Sequence, residues 1–146
     1  MKTAAKYSFV IILIILLQMF VRTPKDIDPE LLPYVESFEK WTGTEVLGRY
    51  YSIKFSSQFP GVAATAIGMN NDDAVIIRVD PVVWSKLSKG QRSWLMYHEL
   101  AHDLHNSQHD TSFLMSRSIP FYINQNILDA TKAQYLITLR NGTNKI

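Results

Sequence analysis

The chain has 146 residues, 47% of them hydrophobic and 19% charged, which is enough for one domain with a real core. Fifteen basic residues against thirteen acidic ones leave a net charge of +2, so no electrostatic footprint for nucleic acid is present. The absence of cysteine excludes disulfide frameworks, thiolate metal sites and cysteine nucleophiles.

Lys2 and Lys6 precede an apolar run from Tyr7 to Val21, broken only by Ser8 and Gln18. A charged segment followed by an apolar one has the form of a signal sequence. The run closes on Gln18-Met19-Phe20-Val21-Arg22, which offers no small-residue cleavage site, so residues 1–22 are expected to stay as a membrane anchor. The alternatives are a cleaved signal with a secreted domain, and an apolar helix that belongs to the fold itself. With Lys2 and Lys6 inside, the domain is expected on the exported side, periplasmic or extracellular.

Residues 23–30, with Pro24 and Pro29 among charges, are expected to form a linker, and residues 31–146 the domain. A first helix is predicted from about Pro29 or Pro33 to Thr42, with Gly43 as its stop. Leu31, Val35, Phe38 and Trp41 fall on one face, spaced for burial against a sheet. Val46 to Phe55 alternates as a strand does, and Phe59-Pro60-Gly61 turns the chain.

Val62–Gly68 and Ala74–Val79 are predicted as two strands of a hairpin, joined by Asn70-Asn71-Asp72-Asp73. Ala63, Ala64, Ala66 and Gly68 give the first of these almost no side-chain bulk. Such a strand suits an edge along which an extended peptide lies, and equally close packing under a helix.

Asp80 followed by Pro81 predicts an N-cap and a short helix to about Leu87. Ser88-Lys89-Gly90-Gln91 matches a capping box and opens the next helix. Beyond it, Ser118 and Pro120 are expected to start a last helix reaching about Arg140, ended by Asn141-Gly142, with Phe121, Leu128, Tyr135 and Leu139 as its buried stripe. The fold class is therefore α+β: a small mixed sheet with a backing helix, a central helix and a C-terminal helix.

The central helix carries His98-Glu99-Leu100-Ala101-His102. Positions four apart on a helix differ by about 40° and about 6 Å of rise, so both imidazoles can share one metal ion. Glu99 lies beside that ion, where a general base must stand to take a proton from water. A tetrahedral catalytic zinc site wants a third protein ligand and one open position. No glutamate follows Glu99, which leaves His105, His109, Asp110 and Asp129. His105 sits a further turn along the same straight helix, where it cannot wrap around the ion. His109 is better placed, because Asn106 tolerates the left-handed conformation that ends a helix and Ser107-Gln108 can bring the chain back. All four histidines fall between His98 and His109, a clustering that ordinary core histidines do not produce.

His98-Glu99-x-x-His102, a turn residue and a third histidine three beyond it resemble the metzincin clan of zinc peptidases. The clan's usual form is H-E-x-x-H-x-x-G-x-x-H; here one residue is added before the turn, and Asn106 stands where glycine is usual. The longer spacing is similar to that of small metallopeptidase-like proteins of bacteria and phages. The resemblance implies a zincin-like fold, a zinc ion held by His98, His102 and His109, and Glu99 as general base in hydrolysis of a peptide or protein substrate. Ser112-Phe113-Leu114-Met115-Ser116 resembles the clan's methionine turn, which implies that Met115 floors the ligands. Asp110 matches an acidic residue that ties the third ligand's loop to that turn. Arg117 stands where some members carry a tyrosine; Arg117 or Tyr122 is then a candidate for stabilising an oxyanion.

Two other readings stand beside this one. The H-E-L-A-H segment also resembles SprT-like zinc proteases that act near DNA, although the balanced charge and the anchor weigh against nucleic acid. A non-enzymatic anchored protein with a structural zinc would have no use for Glu99.

Overall fold

The computed structural model of the protein describes residues 26–68 and 74–143. The expected anchor and the Asn70–Asp73 turn lie outside the described residues. Among the described residues no helix is long and apolar enough to cross a membrane.

The elements follow in the order β1 (Asp26–Ile27), α1 (Leu32–Thr42), β2 (Tyr50–Phe55), β3 (Ala64–Ala66), β4 (Ala74–Val79), α2 (Pro81–Lys86), α3 (Lys89–His105) and α4 (Gln125–Thr143). The architecture is α+β, with a four-stranded mixed sheet in the order β1-β2-β4-β3. β1, β2 and β4 run parallel, and β3 pairs antiparallel with β4 as the hairpin pattern predicts. α3 packs against β3, β4 and α1, so the helix that carries the histidines is central to the domain.

Local chemistry explains most boundaries. Gly43 ends α1 at φ 75°, and its amide bonds Glu39 O at 2.8 Å. Asp80 caps α2 by accepting from the amides of Val82 and Val83, both at 2.9 Å. At α3 the Ser88 hydroxyl accepts from Gln91 N, and the Gln91 side chain accepts from Ser88 N, which closes the capping box. The expected face of α1 is buried: Leu31, Val35 and Phe38 are fully enclosed and join Ile53, Ile77 and Leu100 in one core. Each such side chain contributes about 1.5–3 kcal/mol relative to exposure.

Four expectations are corrected. Asp26 and Ile27, assigned to the linker, form strand β1 beside β2, where Asp26 pairs with Lys54. Val46 to Arg49 is a turn and not strand: Glu39 Oε1 takes the amides of Val46 and Leu47 at 2.6 and 2.7 Å, removing them from any ladder. Val62 turns back to Phe59 O, which shortens the next strand to β3.

The last helix begins at Gln125, not near Ser118 or Pro120, and runs through Asn141 and Gly142. Asn124 provides the start, its Oδ1 accepting from Ile127 N at 2.9 Å. Upstream, the Gln91 amide holds the carbonyls of Pro120 and Phe121 against the beginning of α3, so the segment stays irregular. Phe121 is consequently 99% exposed, while Leu128 and Tyr135 are buried as expected.

Candidate metal centre

α3 points His98, Glu99 and His102 into the domain, and its end delivers a third imidazole. Asn106 adopts φ 49°, and the amides of Asn106 and Ser107 both return to Ala101 O. This left-handed cap absorbs the additional residue before the turn and reverses the chain within three residues. His109 is thereby brought opposite the other two. One ring nitrogen each of His98, His102 and His109 lies within 4.8 Å of the others, close enough to hold one metal ion.

The nitrogen chemistry supports that use. His98 Nδ1 donates to Leu114 O at 2.7 Å, and His102 Nδ1 donates to Ser107 O at 2.5 Å. A carbonyl only accepts, so in each neutral ring the proton is on Nδ1 and Nε2 carries a lone pair. The two Nε2 atoms stand 3.0 Å apart, and His109 Nε2 is 3.2 Å from both. Facing lone pairs repel unless something positive lies between them. The donor set of three convergent imidazoles therefore fits a zinc-type divalent ion.

Burial pushes the His98 imidazole down to about 4, helped by the charges of His102 and His109 and opposed by the Leu114 carbonyl. His102 is lowered as well, again chiefly by burial. Both rings are thus neutral and ready as ligands near neutral pH.

Glu99 is 6% exposed. Burial raises its carboxyl to about 7; the backbone amide of Ala66 on β3 opposes this, and the nearby Asp103 charge adds to it. A carboxyl tuned to neutrality suits a group that takes and returns a proton.

The remaining expected residues separate clearly. His105 is engaged elsewhere, with Nε2 2.9 Å from Thr44 Oγ1 and Nδ1 3.1 Å from Tyr135 Oη. Asp129 lies on α4, bonded to Gln125 and Lys132. Asp110 is exposed; its Oδ1 accepts from Ser112 N at 2.7 Å, and its amide donates to Met115 O at 3.2 Å, which joins the His109 loop to the turn. Met115 is buried at 1% exposure. Arg117 lines the cleft over the histidines, whereas Tyr122 is 65% exposed and does not line it.

Three supporting residues escape a reading by motif. Trp94 stacks on the His98 ring with centroids 4.8 Å apart and donates from Nε1 to Phe113 O at 2.9 Å. It fixes both the ligand and the turn that bonds it. Tyr135 Oη bonds Ser107 Oγ at 2.7 Å, so α4 braces the residue whose carbonyl orients His102. Asp103 is 5% exposed, and its Oδ2 accepts from the amides of Gly68 and Ile76 at 2.9 and 3.1 Å. Burial raises the Asp103 carboxyl to about 6 against the two amides and the Arg49 charge. The i, i+4 spacing of Trp94 to His98 is visible in the sequence; the partners of Asp103 and Tyr135 are not.

Above the ligands is a cleft of about 780 Å³, walled on one side by Ala63 to Ala66 and on the other by Arg117 to Ile119. His98, Glu99, His102 and His109 form its floor. No family model, no curated protein and no solved structure matches the chain.

Proposed function

We propose that the protein is a zinc-dependent peptidase. The observation that carries this reading is the convergence of three imidazole nitrogens, two with protons fixed on the far side of the ring, beside a buried carboxylate at the floor of an open cleft.

His98, His102 and His109 would hold the zinc ion. When bound, zinc supplies a Lewis acid that polarises a carbonyl and acidifies water. Glu99 accepts a proton from the attacking water on a carboxylate oxygen and returns it to the departing amine. The Leu114 and Ser107 carbonyls keep the His98 and His102 rings in the ligating tautomer. Arg117, which lines the cleft, is the candidate to stabilise negative charge on a substrate oxygen. β3 offers a backbone edge along which an extended substrate can lie. In this reading the domain is zincin-like, and residues 1–22 anchor it on the exported side of a membrane.

Metal content and peptide cleavage test the reading together. The wild-type chain is expected to retain zinc and to cleave unstructured peptides, and His109→Ala to lose both. A His109→Ala protein with undiminished zinc content contradicts the ligand set.

A further inference from the structure

Of the chain's four histidines, His105 alone stays outside the ligand set. Its ring packs against Phe38 and Tyr135, with centroids 5.8 and 5.9 Å away. Each ring nitrogen has a partner: Nε2 stands 2.9 Å from Thr44 Oγ1, and Nδ1 stands 3.1 Å from Tyr135 Oη. The same Tyr135 hydroxyl reaches Ser107 Oγ at 2.7 Å. Ser107 is in turn the residue whose carbonyl accepts from His102 Nδ1, and its amide donates to Ala101 O at 3.2 Å. A line of bonds, passing through Ser107 itself, thus joins the turn after α1, the end of α3 and the middle of α4 to a metal ligand.

The protons in this line are not independent. Burial lowers the His105 imidazole, with the Arg49 charge adding to it, so the ring is neutral near neutral pH and holds one proton. Burial pushes the Tyr135 hydroxyl up to about 12 against the bond with Ser107, so it also keeps its proton. If His105 carries its proton on Nδ1, it donates to Tyr135, Tyr135 donates to Ser107 Oγ, and Thr44 donates to Nε2. If the proton is on Nε2, every bond reverses. In both arrangements Tyr135 Oη is bonded to His105 and Ser107 together, so removing one member strands a buried neighbour and the loss reaches Ser107.

α4 meets the domain along one stripe, with Leu128, Thr131 and Tyr135 buried and Asp129, Ala133 and Ile137 exposed. Leu128 is apolar, and the Thr131 hydroxyl turns back to Ile127 O at 2.7 Å within the helix. Tyr135 is the polar member of the stripe that reaches the loop of the ligands.

We propose that the metal centre and α4 are linked through this line: His105 and Tyr135 are positioning residues for His102, and an ion held by the three imidazoles keeps α4 docked in return. The link rests on the ligand set of the peptidase reading and not on the reaction. It is reciprocal: the factor by which docked α4 raises zinc affinity is the factor by which zinc favours docked α4. Groups that orient metal-bound imidazoles set affinity by about 10- to 100-fold. Tyr135 acts one bond further out, which places its effect at the lower end, about tenfold.

The test measures zinc affinity of the full-length protein by chelator competition, in the wild type, Tyr135→Phe, Ser107→Ala and the double variant. Tyr135→Phe keeps the buried ring and removes only the hydroxyl. It is expected to weaken zinc binding about tenfold, with about one zinc per chain still bound at saturation. In the Ser107→Ala background the same change is expected to cost less than about twofold, because the bond is already gone. Equal losses in both backgrounds, or no loss in either, overturn the link and leave the peptidase reading intact; a wild type that binds no zinc overturns both. Amide hydrogen exchange reads the reciprocal effect. Zinc is expected to slow exchange around Tyr135 about tenfold in the wild type and less than about twofold in Tyr135→Phe. Slowing by the same factor in the two proteins, or none in either, overturns the link.

Discussion

Gly68→Ala is the most informative single perturbation of the scaffold. The new Cβ would meet Ala74 O at 2.5 Å, and Asp103 Oδ2 and Oδ1 at 2.5 and 2.8 Å. The Ala74 carbonyl belongs to β4 and is held there by the sheet, so the Asp103 side chain must give way. Displacing it strands the amides of Gly68 and Ile76, which that carboxylate now satisfies. Each of the two stranded donors costs about 1–3 kcal/mol, so the substitution is expected to destabilise the domain by roughly 2–6 kcal/mol. Urea unfolding reads this as a lower midpoint with an unchanged slope. A double-mutant cycle isolates the cause: with Asp103→Ala already in place, both amides are stranded beforehand, and Gly68→Ala should cost about 2–6 kcal/mol less than in the wild type. If Gly68→Ala is neutral, or costs the same in both backgrounds, the clamp between α3 and the hairpin does not exist.

Further predictions concern the ionisable residues and their supports. Glu99 has its pKa raised from 4.5 to about 7, so its contribution to stability is fully present below pH 4.5 and is lost as pH rises through 7. Glu99→Gln should therefore stabilise the metal-free protein by roughly 3 kcal/mol at pH 8, with the gain vanishing near pH 4.5; no gain at pH 8 contradicts the burial argument. His98 runs the other way: lowered from 6.5 to about 4, its contribution is fully present above pH 6.5 and is lost as pH falls towards 4. The metal-free wild type should accordingly lose roughly 3 kcal/mol from this one group over that range, recovered in His98→Gln and readable by thermal unfolding against pH. His105→Ala should leave zinc stoichiometry intact while costing about 1–3 kcal/mol of stability, because its partners are Thr44 and Tyr135. A proportional loss of zinc would return His105 to the ligand set. Trp94→Phe removes the bond to Phe113 O but keeps the ring over His98, and should weaken zinc affinity about tenfold in a competitive chelator titration.

Features encoded within a few residues are the ones that the sequence made legible. Asp80, the Ser88–Gln91 box, Gly43 and Asn106 each act on amides or carbonyls no more than five residues away, and each marks its boundary in the structure. The same locality made His98, Glu99 and His102 readable, and the left-handed Asn106 shows how one further residue before the turn still delivers His109.

Features that depend on distant partners were hidden. Pro120 has the form of a helix start, but Gln91, twenty-nine residues away, holds its carbonyl, and a Cβ on Gly90 would lie 2.3 Å from Ile123 O. Glu39 delays the start of a predicted strand, from Val46 to Tyr50, by capturing the amides of Val46 and Leu47. Asp103 looks like one more polar residue on α3; only the fold brings Gly68 and Ile76 to it.

Zinc content and peptide cleavage, measured on the wild-type protein beside Glu99→Ala, test the central claim most directly. The account predicts about one zinc per chain in both and cleavage by the wild type alone. A wild-type chain that binds no zinc, or a Glu99→Ala protein that cleaves as fast as the wild type, would contradict it.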